Sequence, residues 1–423
     1  DALSKHAPVA QLARNPLLLV MICELTQEGQ ELPVERAQLY DRAVQALADR
    51  WNRWRSVSRS AVLDDLDPEE LIGALSQVAL RQLRARTPAM HRAQLRRWLA
   101  AAIRSKGHSS KDADALARSY LQAAACRAGL LDERGPDYFV FWHQSLQEYL
   151  AAVALVQAPG SLGTRLARYV DRPRWHEVLQ LAVGYVGRVR NQPKRAVKLL
   201  MTLRHKDLPR LEAALHTRLC SVASLVAQNP WLDAHLANEV LAELAEVTHA
   251  QPFAPLGDAL SRALAARPGL VPDARLQAAL LPLTAARFHR LARIRLGAAR
   301  VLANVPPRSN GSMAPLRDLL KPVQEKDETS ARLFGSDSTI RCCAAVHFIQ
   351  CDPPDPRVLL ALSPFMEMDA GFIELVRARL QGCLPRLLPL LRSWLSTEGA
   401  STRASAAEFL ALLNHHDDAV VRS

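Results

Sequence analysis

Apolar residues recur along most of this chain at steps of three and four, the period of an amphipathic helix. Between residues 36 and 54 the set Ala37, Tyr40, Ala43, Val44, Leu47 and Trp51 keeps that step, and Pro33 ahead of it suits a first helical turn. Residues 8–54 therefore read as two or three helices. Asn15 and Pro16 form a break or a helix start that sets Leu17, Leu18 and Leu19 on a buried surface. Asp67 to Glu70 is a strong helix start, with a capping aspartate, a first-turn proline and two acids at the positive helix end. That helix continues through Leu71, Leu75, Val78, Ala79 and Gln82. A second spans Arg92 to Ile103, and a third runs from Asp112 towards Ala128 and stops at Gly129, a left-handed cap.

The period then changes. Leu130–Leu131 and Tyr138–Trp142 are short apolar runs on either side of a turn containing Gly135, and they predict two strands, the one clear β signal in the chain. His143 stands where the second strand meets the next helix. Three helices, a hairpin and a closing helix over residues 67–156 read as a winged helix.

Beyond residue 160 the helical period returns. The segments starting at Ile294, Ile340 and Thr402 look alike, each with a basic residue, then small residues, then larger apolar ones. Their arginines, Arg295, Arg341 and Arg403, are 46 and 62 residues apart. The first spacing fits a HEAT-like unit of about 40–47 residues; the second needs an extra helix or an insertion. Small residues let adjacent helices approach closely, and stacked pairs bury one continuous core. Residues 205–290 carry a degenerate form of the pattern. Pro306–Ser312 and Asp352–Pro356 are the clearest loops, and too few residues follow His415–Asp418 to complete another helix.

Composition narrows the chemistry. A chain of 423 residues, 49% hydrophobic, has room for two or three domains with real cores, and 17 glycines favour helix over sheet. No apolar run approaches the ~18 to 20 residues of a membrane span, and the first residues do not form a basic-then-apolar leader. Seven cysteines without a CxxC spacing are expected as buried free thiols of a reducing cytosol. Cys342, Cys343 and Cys351 lack the spaced pairs of a zinc site. Neighbouring residues in His415–Asp418 point apart on one turn and cannot ligate one ion together.

No HExxH, G-x-S-x-G or supported Cys/His pair occurs. Nor does G-x-x-x-x-G-K-[ST], and no apolar strand ending in a carboxylate pair lies ahead of Asn15 to hold magnesium. The chain on its own is expected to hydrolyse nothing, with no catalytic residue and no metal. Its net charge of +12 comes mostly from arginine, clustered over Arg81–Arg97 and Arg165–Arg210. These stretches lack the interleaved rings that stack single-stranded bases, so they read as solvated helix faces rather than a nucleic-acid footprint. His143, on residue type alone, is a helix cap, although free amides and a partial positive charge make a helix N-terminus a natural neighbour for phosphate.

Two segments resemble NACHT-type STAND NTPases, the nucleotide-switched ATPases of innate immunity and bacterial antiphage defence. Phe139–Ala152 resembles the end of their winged-helix module. Ala13–Ile22, followed by Glu31–Pro33 and Leu39–Trp51, resembles the helical lid after their nucleotide-binding core, and the two occur in the family's order. Trp175–Tyr185 is similar to the first helix after the winged module.

The resemblance implies a mainly α fold. A helical lid would span residues 1–60, a winged helix with a small β-hairpin wing residues 61–158, and an α-solenoid of HEAT-like helical pairs residues 159–423. It implies the C-terminal part of a longer cytoplasmic protein whose core precedes residue 1 and holds ATP or ADP with magnesium; this chain alone would hold no cofactor. In relatives the lid proline packs against adenine and the winged-helix histidine contacts the β-phosphate of ADP, and those roles fall on Pro16 and His143. Gln147, Glu148 and Tyr149 match the same motif and are assigned to packing.

The function so implied is the regulatory and sensor portion of a signalling NTPase. Its partners would be the upstream core, a protein or other ligand sensed by the repeats, and further copies on activation, with no membrane. Two alternatives stay open. One is a non-enzymatic HEAT scaffold without nucleotide dependence. The other is a DNA-binding winged helix, against which the acidic wing residues Asp132, Glu133 and Asp137 count.

Overall fold

Asp67 accepts a hydrogen bond from the Glu69 amide and Pro68 fills the first turn, so the helix start read from sequence is the one that forms. The computed structural model describes residues 35–58, 67–126, 129–205, 212–251, 254–267, 269–284, 292–304 and 384–396, with isolated residues elsewhere. The chain divides into two compact units, Asp1–Leu225 and Val226–Ser423.

The first unit begins its described part with α1 (Arg36–Ser58), followed by α2 (Pro68–Ala85), the short strand β1 (Met90–His91), α3 (Arg92–Arg104) and α4 (Ser110–Cys126). Strands β2 (Leu131–Glu133) and β3 (Tyr138–Phe141) then lead into α5 (Gln144–Gln157). The antiparallel sheet has the order β1–β3–β2, with Met90 opposite Phe139 and Leu131 opposite Phe141. The hairpin turns through left-handed backbone at Gly135 and Asp137, and Gly129 is left-handed after α4, as a helix stop requires. Strand β1 is absent from the sequence reading because two residues carry no period to detect. It is held by its pairing with β3 and by the Arg92 amide donating to the Asp137 carbonyl at 2.7 Å.

Helix α5 is the hub. Its residues Leu146 and Glu148 to Leu155 are all buried, which is the signature of a helix enclosed on every side. It packs chiefly on α2, whose Leu71, Leu75, Val78 and Ala79 are fully buried, and also meets α1 and α7. Helices α6 (Leu162–Ala167), α7 (His176–Gly184), α8 (Pro193–His205), α9 (Glu212–Leu215) and α10 (Thr217–Ala227) follow, with a π-type turn over Tyr185–Val189 between α7 and α8. Where α6 crosses α8, Gly163 lies so close to Thr202 that a Cβ there would stand 2.7 Å from its Cγ2.

The second unit contains α11 (Ala234–Ala250), α12 (Ala254–Ala266), α13 (Ala274–Leu280), α14 (Ala292–Leu302) and α15 (Leu384–Leu395). Helix α11 packs on α13 and α12 on α14, the neighbour relation of two-layered helical repeats, with α11 also against α12. In the repeat-like segment at Ile294, Gly297 admits Leu264 of α12, as expected of its small residues. Arg295 is buried and donates to the Thr284 carbonyl. The segments around Arg341 and Arg403, the Cys342–Cys351 group and His415–Asp418 lie outside the described residues or touch them only at single positions.

Two expectations need correction. Leu19 and Cys23, both expected in buried surroundings, are exposed. Both positions are helical, and their side chains face solvent. Among the described residues no helix is long and apolar enough to cross a membrane.

Candidate functional site

The strand-to-helix junction is built by three local interactions. The Trp142 amide donates to the Leu130 carbonyl at 3.0 Å, carrying the ladder one residue past β3. His143 is extended (φ −145°, ψ 144°) and its ring nitrogen Nδ1 accepts from the Ser145 amide at 3.1 Å. The Leu146 and Gln147 amides return to its carbonyl. An Nδ1 lone pair committed to the cap places the proton of the neutral ring on Nε2. Among the described residues that donor has no acceptor. The ring is half-buried, between exposed Trp142 (47%) and exposed Gln144.

Helix α5 is keyed to its neighbours by polar contacts below the cap. The Gln147 amide donates to the Gln82 side-chain oxygen at 2.9 Å, and Gln82 in turn donates to the Thr87 carbonyl. Gln144 donates to Glu148 at 2.8 Å. Burial pushes the Glu148 carboxyl up, nearby Glu177 adds to this, and the Gln144 bond and Arg36 oppose it. Arg36 of α1 pairs with Glu177 of α7.

The Tyr149 hydroxyl donates to Asp41 of α1 at 2.5 Å, and Gln45 donates to the second Asp41 oxygen at 2.9 Å. Burial raises the Asp41 carboxyl against the pull of the Tyr149 bond and Arg42. Burial, then the Asp41 charge, raises the Tyr149 phenol far above its ordinary range. Tyr149 also stacks on Tyr40, with ring centroids 6.0 Å apart, and meets the edge of Tyr185 at 6.3 Å. Beside this pair a cleft of about 580 Å3 opens between α1, α2, α5 and the Tyr185–Val189 turn, lined by Asp41, Gln45, Lys106, Tyr149, Gln157 and Arg190 among others.

Of the residues singled out from sequence, His143 is therefore a helix cap with one ring donor to spare, and Pro16 lies outside the described residues. Gln147, Glu148 and Tyr149 are all engaged in packing and internal hydrogen bonds. The Asp41–Tyr149 bond was not foreseen. Asp41 sits directly after Tyr40 in an apolar period that assigns it to the outer face, and only its tertiary partner reveals it. Among the described residues no group of three or more His, Cys, Asp or Glu is placed to hold a metal ion.

Residues 36–155 match the family model described as the winged helix-turn-helix domain C-terminal to NACHT. No curated protein matches the chain. The matched span runs from the start of α1 to within α5, so it takes in α1 as well as the stretch read as the winged helix.

Proposed function

From the premise that this chain is a C-terminal part of a NACHT-family protein, carrying the regulatory winged helix that follows the NACHT core, we propose that it closes over the nucleotide held by that core. In the resting form His143 donates from Nε2 to the β-phosphate of ADP, and Pro16 packs against the adenine. The core itself supplies the phosphate loop and magnesium. The helical repeats beyond residue 159 bind a protein or other ligand, which favours the open form, nucleotide exchange and assembly with further copies. That shift is bounded by the ligand's differential affinity for the two forms. The protein acts in the cytoplasm, in a defence pathway of the innate-immune or antiphage type.

The observation that carries this reading is the divided ring of His143. One nitrogen is committed to capping α5, and the other is a donor without an acceptor among the described residues, at a half-exposed helix N-terminus, where amides and the helix dipole already favour an anion. The test is ADP content and activation threshold of the full-length protein carrying His143→Asn, compared with wild type. Unchanged ADP retention and an unchanged threshold would remove His143 from the mechanism. The alternating stack of α11 to α14 equally suits a nucleotide-independent HEAT scaffold. Full-length protein purified without bound nucleotide, and unable to take it up, would favour that second reading.

A further inference from the structure

Two arginine clusters far apart in sequence meet in the first unit. Residues 71–111 hold nine Lys or Arg and no Asp or Glu. Residues 161–205 hold ten, against Asp171 and Glu177 alone. Both of those acids are already taken: Asp171 pairs with buried Arg218, and Glu177 with Arg36. The end of α2 then packs against the segment joining α6 to α7, where Tyr169 and Trp175 stack with centroids 4.1 Å apart.

Around that ring pair the guanidinium groups are fixed by neutral partners. Arg84 donates to the Tyr169 hydroxyl at 2.9 Å and lies over its ring. Arg172 lies over the same ring at 5.8 Å. Arg174 donates to the Leu83 carbonyl and lies over Trp175. Arg81 donates to the Trp98 carbonyl at 3.1 Å. Carbonyls, a hydroxyl and aromatic faces orient these cations without cancelling any charge. Their crowding is visible at Arg81, whose pKa is lowered by burial first and then by Arg104 and Arg84.

We propose that the arginine cluster built on Tyr169 and Trp175 is a docking surface for the phosphate backbone of duplex nucleic acid. Oriented guanidinium forks match phosphate oxygens bidentately. The two rings are buried, at 9% and 3% exposure, so they cannot stack unpaired bases as single-strand binders do. None of the exposed large apolar residues among those described belongs to the cluster, which leaves it without the anchors of a membrane-surface site. A rigid polyanion also suits fixed cations better than an acidic peptide, which would lose chain entropy on binding. The surface is distinct from the wing, where Arg92 is neutralised by Glu133 and Asp137.

Fluorescence anisotropy of this chain with a mixed-sequence duplex tests it. Three phosphate contacts, from Arg84, Arg172 and Arg174, give a log–log salt slope of about −2.7, or roughly a 40-fold affinity loss between about 50 and 200 mM salt. Arg172→Glu should weaken binding at least about tenfold and flatten the slope by about one. Arg174→Gln, which keeps an amide donor for Leu83, should act in the same direction while the melting temperature holds. Arg134→Glu, in the wing, should leave binding unchanged. Absent binding at low salt, or affinity untouched by both cluster variants, would overturn the proposal. So would poly-glutamate or phosphatidylserine vesicles binding more tightly than the duplex.

Discussion

Two substitutions at His143 separate its roles. His143→Ala removes the side-chain acceptor of the Ser145 amide, and loss of an N-cap costs about 1 kcal/mol. For a unit of this size that lowers the melting temperature by about 2–4 °C. His143→Asn restores an oxygen at the cap, and asparagine is among the best capping residues, so its melting temperature should return close to wild type. Neither variant carries the Nε2 donor. A hydrogen bond to a charged group contributes about 1.5–3 kcal/mol, which at 1.4 kcal/mol per decade is roughly a ten- to hundredfold faster loss of ADP.

The assay is release of a fluorescent ADP analogue from the full-length protein, with melting curves recorded on the same samples. The expected pattern is fast release in both variants and thermal loss in Ala alone. If the Asn variant retains ADP as long as wild type while Ala does not, the histidine is a cap and nothing more, and the proposed phosphate contact is wrong.

Further outcomes follow from the packing. Tyr149→Phe leaves the half-buried Asp41 without its shortest donor and should cost about 1–3 kcal/mol in denaturant melts; an unchanged midpoint would refute the role of that bond. Because burial raises the Asp41 carboxyl in the folded state, the protonated form is favoured by folding. Its contribution is complete below the unfolded pKa and is lost as pH rises through the raised folded value. Asp41→Asn should therefore gain stability relative to wild type from acid towards neutral pH, and a gap that narrows as pH rises would contradict this. Gly163→Ala places a Cβ 2.7 Å from Thr202 Cγ2 and should cost about 1–3 kcal/mol. Thr202→Ser, which removes that methyl, should recover most of it, whereas simple additivity would show no clash. Arg218→Ala strands Asp171 and should cost about 3–5 kcal/mol; a loss under about 1 kcal/mol would mean that the pair is solvent-compensated.

The winged helix was legible because each of its parts has a local signal. Asp67–Pro68 announces a helix start, Gly129 a stop and Gly135 a turn, and all three take the conformation their residue type favours. Strand β1 was hidden because it exists only through pairing with Tyr138 and Phe139. At the site, a histidine between strand and helix could be read as a cap from its position alone. The Asp41–Tyr149 bond could not, since 108 residues separate its partners and an acid within an apolar helical period looks like an ordinary outer-face residue. The meeting of the two arginine stretches was hidden for a similar reason. Read along the chain, they are two solvated faces; only the packing of α2 on the Tyr169–Trp175 rings joins them and shows that their acidic neighbours are engaged elsewhere.

The seam between α1 and α5 differs in kind from the rest of the core. Apolar contacts such as those of Leu39 and Ala43 weaken gradually as surfaces slide, because dispersion and area burial are non-directional. The Asp41 carboxyl has no such tolerance. Withdrawn slightly from Tyr149 and Gln45, it loses both donors while still half-buried, which costs up to the penalty of an unsatisfied polar group, about 1–3 kcal/mol. Withdrawn far enough, it is rehydrated and the penalty vanishes. A helix held by such a contact resists small displacements more sharply than one held by apolar packing alone. That sharp response suits the helix leading into a regulatory winged module. It arises here from one half-buried acid, one phenol and one amide.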